Sequence, residues 1–167
     1  MRIAMIGGGY VGLVSAACFA EFGVQVAVVE VHPGRLDMLA RGEIPIYEPG
    51  LDRLVADNIA AGRLSFGNDV TAAVAGADAI FIAVGTPPRN GDGHADLTYV
   101  FAAAEQVARA MTGYAVIVTK STVPVGTGRK LAELVTRVRP DLDFDVASNP
   151  EFPVSYTHLT LPTIYSV

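Results

Sequence analysis

Residues 1–30 read MRIAMIGGGYVGLVSAACFAEFGVQVAVVE, and this stretch decides the fold. The apolar run RIAMIG leads into three glycines. Residues 10–22 are rich in Ala, Leu and Val and end at Gly23, a typical helix stop. A second apolar run, VQVAVVE, follows at once. This order of strand, glycine turn, helix and strand predicts a βαβ unit with buried parallel strands.

The glycines have the spacing G-x-G-x-x-G, with Gly7, Gly9 and Gly12 at the three positions. In a dinucleotide-binding turn the first glycine permits the tight turn and the second lets a pyrophosphate approach the backbone. The third lets the helix pack closely on the strand. The helix N-terminus then offers N–H groups and a positive dipole end to the phosphates. The alternative is a glycine-rich turn that binds no ligand.

An acidic residue, Glu30, closes the second strand 18 positions after Gly12. A carboxylate there can accept hydrogen bonds from the hydroxyls of a ribose, and it would repel a 2′-phosphate. The sequence therefore favours NAD over NADP as the cofactor. Arg35 keeps NADP open, because a nearby Arg can bind a 2′-phosphate.

The remaining chain continues the alternation of strands and helices. Further strands are predicted in RLSFGN, DAIFIAVG, YAVIVTKST and DFDVASNP. Helices are predicted from Pro33 to Gly42, in LDRLVADNIAAG, in a short segment capped by Asp69 or Thr71, in LTYVFAAAEQVARAM and in TGRKLAELVTRVR. The predicted fold is therefore a single-domain α/β Rossmann fold, a doubly wound parallel sheet over residues 1–152, with right-handed crossovers covering both faces.

The composition limits the classes of partner. Apolar residues make up 51% of the 167 residues and charged residues 17%, as in a globular protein. The net charge of −5 argues against nucleic acid or an anionic membrane as a partner. The three histidines lack metal-ligand spacing, so we expect no metal site. The single cysteine, Cys18, excludes an intrachain disulfide and fits a cytoplasmic setting; we expect it to be a buried core thiol.

Several longer motifs resemble those of the UDP-glucose/GDP-mannose dehydrogenase family. Besides GGGYVG they are PIYEPGL at 45–51, VGTPP at 84–88, ADLTYV at 95–100, KSTVPVGT at 120–127 and SNPEF at 148–152. PIYEPGL is most similar to the branch that oxidises UDP-glucose, with the GDP-mannose and N-acetylmannosamine branches as alternatives. The resemblance implies that two NAD⁺ oxidise a sugar-nucleotide C6 alcohol to a carboxylate, through an aldehyde and a cysteine thioester.

The resemblance also implies site residues. The implied cofactor-binding set is Gly7, Gly9, Tyr10, Val11, Gly12, Glu30, Arg35, Thr86 and Thr122. Thr122 and Glu151 form the implied catalytic pair: Thr122 helps to hold a water, and Glu151 assists attack of water on the thioester. Each has a structural alternative, namely turn formation for Thr86, turn capping for Thr122 and a solvated loop carboxylate for Glu151.

The agreement with the family ends after Phe152. Residues 153–167 contain no Asp, Glu, Lys or Arg and lack the βα pattern. We expect a non-native tail of translated adapter or vector sequence, with a divergent native C-terminus as the alternative. Cys18 does not match the family nucleophile, which belongs to a later GGSCFPKD-type segment. We therefore expect an NAD-binding half-enzyme, inactive alone, of a protein that binds a UDP-sugar and forms a homodimer. A non-catalytic nucleotide-binding module and a fragment that folds poorly are the alternatives.

Overall fold

The computed structural model describes residues 1–89 and 95–150. Within them, the strands are β1 (Arg2–Ile6), β2 (Gln25–Val29), β3 (Leu64–Gly67), β4 (Ala79–Ile82), β5 (Ala115–Thr119) and β6 (Phe144–Ser148). The helices are α1 (Tyr10–Glu21), α2 (Pro33–Ala40), α3 (Leu51–Ala60), α4 (Val70–Val74), α5 (Thr98–Ala110) and α6 (Thr127–Val138). Each of these strands and helices was predicted from the sequence.

The six strands form one sheet in the order β3-β2-β1-β4-β5-β6. All five strand pairings are parallel. This is the strand order of a doubly wound Rossmann sheet, so the predicted fold class is confirmed. The chain order reverses between β1 and β4, and ligands of such sheets bind at the carboxyl ends of the strands beside that point.

The interior strands β1, β4 and β5 are buried on both faces, which explains their apolar runs. Along β1, Ile3 and Met5 pack in the cluster that contains α1, α2 and α3. Ala4 and Ile6 point the other way, into the cluster that contains α4, α5 and α6. Because successive side chains of a strand alternate between faces, one five-residue strand contributes to both halves of the core.

Local signals set several helix starts. Pro33 occupies the first turn of α2, and the His32 ring accepts a hydrogen bond from the Arg35 N–H at 3.3 Å. Of the two predicted caps, Asp69 and Thr71, it is Asp69 that caps α4, by accepting from Thr71 N at 2.8 Å and Ala72 N at 3.2 Å. Among the helices in the described part of the chain, none is long and apolar enough to cross a bilayer.

The prediction that Cys18 is a buried core thiol is wrong, because its side chain is exposed. The buried residues of α1 are Gly12, Leu13, Ala16, Ala17 and Ala20. Cys18 is turned about 100° from Ala17 around the helix axis, away from the packed face. The residues of α1 itself are mostly small or apolar all around the helix. Its sequence therefore has no apolar stripe that identifies the buried face.

A buried polar network ties α1 to α3 and β3. Asn58 is fully buried, and its Nδ2 donates to Glu21 Oε2 at 2.9 Å and to Leu54 O at 2.8 Å. Its Oδ1 accepts from Arg63 Nε at 2.8 Å. Arg63 Nε also donates to Ala20 O near the end of α1 at 2.9 Å. The network therefore joins the end of α1 to α3 and to Arg63, the residue before β3.

Candidate functional site

The register of the sheet gathers the ends of four strands. Val29 of β2, Ile6 of β1, Ile82 of β4 and Thr119 of β5 are successive neighbours across the sheet. The residues that follow these positions are Glu30, Gly7, Ala83 and Lys120. Parallel pairing therefore brings the glycine turn, the acidic residue and the KST segment to one edge of the sheet.

A cleft of about 250 Å³ opens at this edge. It is lined by Gly9, Tyr10 and Val11 from the glycine turn, Ala83, Val84, Gly85 and Thr86 after β4, and Lys120, Ser121 and Thr122 after β5. The cleft lies at the reversal point between β1 and β4, where ligands bind in open α/β sheets. Five residues of the predicted site line it: Gly9, Tyr10, Val11, Thr86 and Thr122.

Two of the three motif glycines are required by packing within the protein. Gly7 has φ +113°, and a Cβ there would lie 2.6 Å from Ala83 O. A Cβ on Gly12 would overlap the carbonyl oxygen of Gly7. These contacts let β1, the start of α1 and the end of β4 approach one another more closely than any side chain allows.

Gly9 has a different environment. Apart from its two chain neighbours, no atom of the described residues lies within 4 Å of the position that its Cβ would take. Gly9 is also the N-cap of α1, with φ −73° and ψ −172°, and it supplies no side-chain oxygen to the helix. The first amides of an α-helix have no acceptor within the helix. The cleft is lined by Gly9, Tyr10 and Val11 at this helix start, and helix N-termini are typical binding sites for phosphate groups.

Glu30 lies behind the glycine turn and is 4% exposed. Its Oε1 accepts from His32 N at 2.8 Å, and its Oε2 accepts from Arg35 Nη1 at 2.8 Å. Glu30 Oε2 would lie 3.0 Å from a Cβ on Gly8, so the carboxylate packs directly against the turn. Each oxygen of a carboxylate can accept a second hydrogen bond, which leaves capacity for ribose hydroxyls. Arg35 is held by Glu30 and is 42% exposed.

Side chains link the segment that follows β4, which contains TPP, to the segment that follows β5, which contains KST. Thr86 Oγ1 donates to Thr122 O at 3.4 Å, a long contact. Ser121 is 8% exposed, and its Oγ donates to Val84 O at 2.7 Å. Of the two, only the Ser121 bond has the usual length of an O–H···O hydrogen bond. Sequence reasoning selected Thr122 in KST and missed Ser121.

Lys120 was also missed by sequence reasoning. Its side chain lines the cleft, and its Nζ donates to Asn149 Oδ1 at 3.1 Å. Asn149 belongs to SNPEF, the motif that carries Glu151. Glu151 itself lies outside the described residues, so its predicted role stays a prediction. The signal for Lys120 was available in KSTVP, because a cation directly after a central strand must lie at the ligand-binding edge.

A fourth segment, in the loop before α3, contacts Tyr10 of the cleft. Tyr10 OH donates to Glu48 Oε2 at 2.6 Å, across 38 residues of sequence. Glu48 is part of PIYEPGL, and sequence reasoning assigned it no role. Within residues 1–89 and 95–150, no three His, Cys, Asp or Glu side chains come together as a possible metal site.

Comparison with known proteins assigns the chain to a family. Residues 1–158 match the model of the NAD binding domain of the UDP-glucose/GDP-mannose dehydrogenase family. UDP-glucose 6-dehydrogenase of Rhizobium meliloti is 57% identical over 152 residues, which cover 91% of this chain and 35% of that protein. A Bacillus subtilis UDP-glucose 6-dehydrogenase is 51% identical, with coverages of 90% and 33%. The chain thus spans about a third of the length of these relatives.

Solved structures agree with this assignment. A UDP-glucose dehydrogenase from Pyrobaculum islandicum superposes with a TM-score of 0.84 at 45% identity, over 90% of this chain and 36% of that one. A GDP-mannose dehydrogenase from Pseudomonas aeruginosa gives 0.85 at 36% identity, over 91% and 36%. With the glycine turn, the strand order and this family match, the chain belongs to the UDP-glucose/GDP-mannose dehydrogenase family and corresponds to its NAD binding domain.

Proposed function

We propose that this chain binds NAD(H) as the dinucleotide-binding half of a UDP-glucose 6-dehydrogenase, which oxidises UDP-glucose to UDP-glucuronate with two NAD⁺. The observation that carries the proposal is the contrast between the motif glycines. Neighbouring backbone occupies the space that a Cβ would take at Gly7 and Gly12, whereas the corresponding space at Gly9, before the first turn of α1, is open. A turn built only for packing has no need of an open glycine at its centre.

The choice of NAD over NADP rests on Glu30. Its buried carboxylate lies against the glycine turn and has both oxygens in hydrogen bonds that hold its orientation. It would accept from the ribose hydroxyls and repel a 2′-phosphate. Arg35, which kept NADP open at the level of sequence, is paired with this carboxylate, and this pairing supports the NAD assignment.

The UDP-glucose assignment is supported by identity to relatives of that name at 57% and 51%. GDP-mannose and UDP-N-acetylmannosamine remain the alternatives, since dehydrogenases of both kinds share the fold at 36% and 33% identity. A non-catalytic nucleotide-binding module is a further alternative. The homodimer, the cytoplasmic location and the boundary at residue 152 with a non-native tail after it stay predictions.

When bound, NAD⁺ would supply the hydride acceptor for oxidation of the sugar. The turn that contains Gly7, Gly9, Tyr10, Val11 and Gly12 would hold the pyrophosphate, and Glu30 and Arg35 would flank the adenosine ribose. Thr86 and Thr122 would contact the other half of the cofactor from the ends of β4 and β5. Thr122 would also help to hold a water near the reacting carbon, and Glu151 would assist attack of water on the thioester.

We expect no turnover of UDP-glucose by the 167-residue chain, because it lacks a cysteine at the cleft. Cys18, the one cysteine in the sequence, is exposed on α1. It lies eight residues beyond Tyr10, which is about 12 Å along the helix axis. NADH production from UDP-glucose and NAD⁺ by the purified chain would contradict this expectation.

The cofactor assignment is tested by fluorescence titration of the purified chain with NADH and, in parallel, NADPH. Saturable binding with NADH preferred is the expected result. The control is circular dichroism on the same sample, which verifies that the α/β fold is present. A folded chain that binds neither dinucleotide, or that prefers NADPH, would overturn the assignment.

A further inference from the structure

The PIYEPGL segment has no role in the function proposed above, yet its contacts lead to the cleft. Ile44 and Ile46 pack against the core cluster that contains α1. Leu51, at the start of α3, is 4% exposed in the same cluster. The segment is therefore anchored at both ends against the helix that carries the glycine turn.

The centre of the segment is a tight turn. Leu51 N donates to Glu48 O at 3.1 Å, and Gly50 has φ +82° and ψ −6°. Proline at the second position and a glycine with positive φ at the third are the features of a type II turn. Each residue of EPGL thus has a structural role. Pro49 and Gly50 form the turn, Leu51 packs in the core, and the Glu48 side chain extends from the turn.

The Glu48 side chain contacts Tyr10. The Tyr10 hydroxyl donates to Glu48 Oε2 at 2.6 Å, a short bond to a charged acceptor. Tyr10 is the first residue of α1, directly after Gly9; it lines the cleft and is 42% exposed. The bond to Glu48 restricts the rotamers that this half-exposed side chain can adopt.

We propose that Glu48 is a positioning residue of the dinucleotide site and acts through Tyr10. Glu48 holds the Tyr10 ring as one wall of the cleft, so the wall is in place before the cofactor arrives. Preorganisation of this kind raises affinity, since ordering the side chain costs nothing at the moment of binding. The inference rests on the proposed NAD(H) binding.

The position of the cleft decides which half of the dinucleotide is affected. The cleft lies between the glycine turn and the ends of β4 and β5, whereas Glu30 lies at the end of β2, on the other side of β1. A Rossmann sheet binds the two nucleotides of its ligand on opposite sides of the reversal point. Glu48 and Tyr10 therefore serve the half that is not adenosine, and AMP should bind without their help.

The experiment is NADH fluorescence titration of the 167-residue chain and four variants: Tyr10→Phe, Glu48→Ala, the double variant, and Glu48→Gln. AMP affinity is measured by competition with NADH. Tyr10→Phe keeps the ring and removes the donor, and Glu48→Gln keeps an acceptor without the charge. Glu105→Ala is the matched control, because Glu105 also accepts one 2.6 Å bond, from Arg109, within helix α5.

Tyr10→Phe and Glu48→Ala should each weaken NADH binding roughly three- to tenfold, and the double variant should be no weaker than either. Glu48→Gln should restore most of the affinity, and AMP binding should not change in any variant. Affinities equal to the parent in both single variants would overturn the proposal. So would losses that multiply in the double variant, a Glu48→Gln chain as weak as Glu48→Ala, or a parallel loss of AMP binding.

Failure of this inference is distinguishable from failure of the proposed function. If the parent chain binds NADH and the variants do so equally well, the positioning role alone is wrong. If the folded parent chain binds no NADH, the proposed function is wrong and this inference falls with it.

Discussion

A Cβ on Gly12 would overlap the carbonyl oxygen of Gly7, so α1 begins against the end of β1 at a distance that only glycine permits. Gly12→Ala should therefore shift the helix and destabilise the fold. Overpacking against a core costs about 1–3 kcal/mol, and the upper end applies here because the obstacle is backbone. The measurement is urea unfolding followed by circular dichroism, and an unchanged midpoint would contradict the packing argument.

In contrast to Gly12→Ala, Gly9→Ala should affect cofactor binding more than the stability of the fold. The new methyl group meets no protein atom within 4 Å, and the backbone at φ −73° accepts any residue. We expect a loss of stability of about 1 kcal/mol, because alanine is a poorer N-cap than glycine. NADH affinity should fall about tenfold or more, because the methyl group occupies the place of the phosphate. Equal NADH affinity in the two chains would remove the main support for the proposed function.

Glu30→Gln tests the origin of cofactor preference. The amide is nearly isosteric, but it accepts more weakly from ribose hydroxyls and no longer repels a 2′-phosphate. It also releases Arg35, which is bonded to Glu30 Oε2 at 2.8 Å. The ratio of NADPH to NADH dissociation constants should fall about tenfold, equivalent to about 1.4 kcal/mol. Titration of both cofactors against parent and variant measures the ratio, and no change would show that preference is set elsewhere.

Asn58→Ala should destabilise the fold although Asn58 is far from the cleft. The substitution removes a fully buried amide and leaves Glu21 and Arg63 without that partner. Such losses cost about 1–3 kcal/mol. Asp57→Ala, at the preceding position, is the control: Asp57 is 64% exposed in an ion pair with Arg53, and such pairs contribute about 1 kcal/mol at most. Urea midpoints that fall equally in both variants would contradict a specific role of the buried network.

Asp141 should titrate far below an ordinary aspartate. The hydrogen bond from the Arg139 guanidinium lowers the pKa of Asp141 from 3.8 to about 2. Because the folded pKa lies below the unfolded one, the linked stability is present above about pH 4 and is lost as the pH falls towards 2. In carboxyl-carbon NMR at pH 3, Asp141 should be ionised in the parent and mostly protonated in Arg139→Gln. A titration midpoint near 3.8 in the parent would show that the pair does not form in solution.

Much of the site could be predicted because its signals are local. The spacing of Gly7, Gly9 and Gly12 and the acidic end of β2 describe one continuous βαβ unit, in which strand and helix periodicities place each residue. Ser121 and Glu48 were missed because their importance depends on partners in other elements, whereas Lys120 was missed although its position directly after β5 was a local signal. Ser121 reaches Val84, Lys120 reaches Asn149, and Glu48 reaches Tyr10. No periodicity within a segment reports such pairs.

The sequence by itself determined the six strands, the six helices and the dinucleotide turn, since apolar runs, caps and glycines act within a few residues of one another. Only the tertiary structure decided that Cys18 faces solvent and that Glu48 contacts Tyr10. It also distinguished Gly9, where the space that a Cβ would take is open, from Gly7 and Gly12, where backbone atoms occupy that space. The physical reason is packing: what surrounds a residue depends on how the sheet and its helices come together, over distances that the local pattern does not encode.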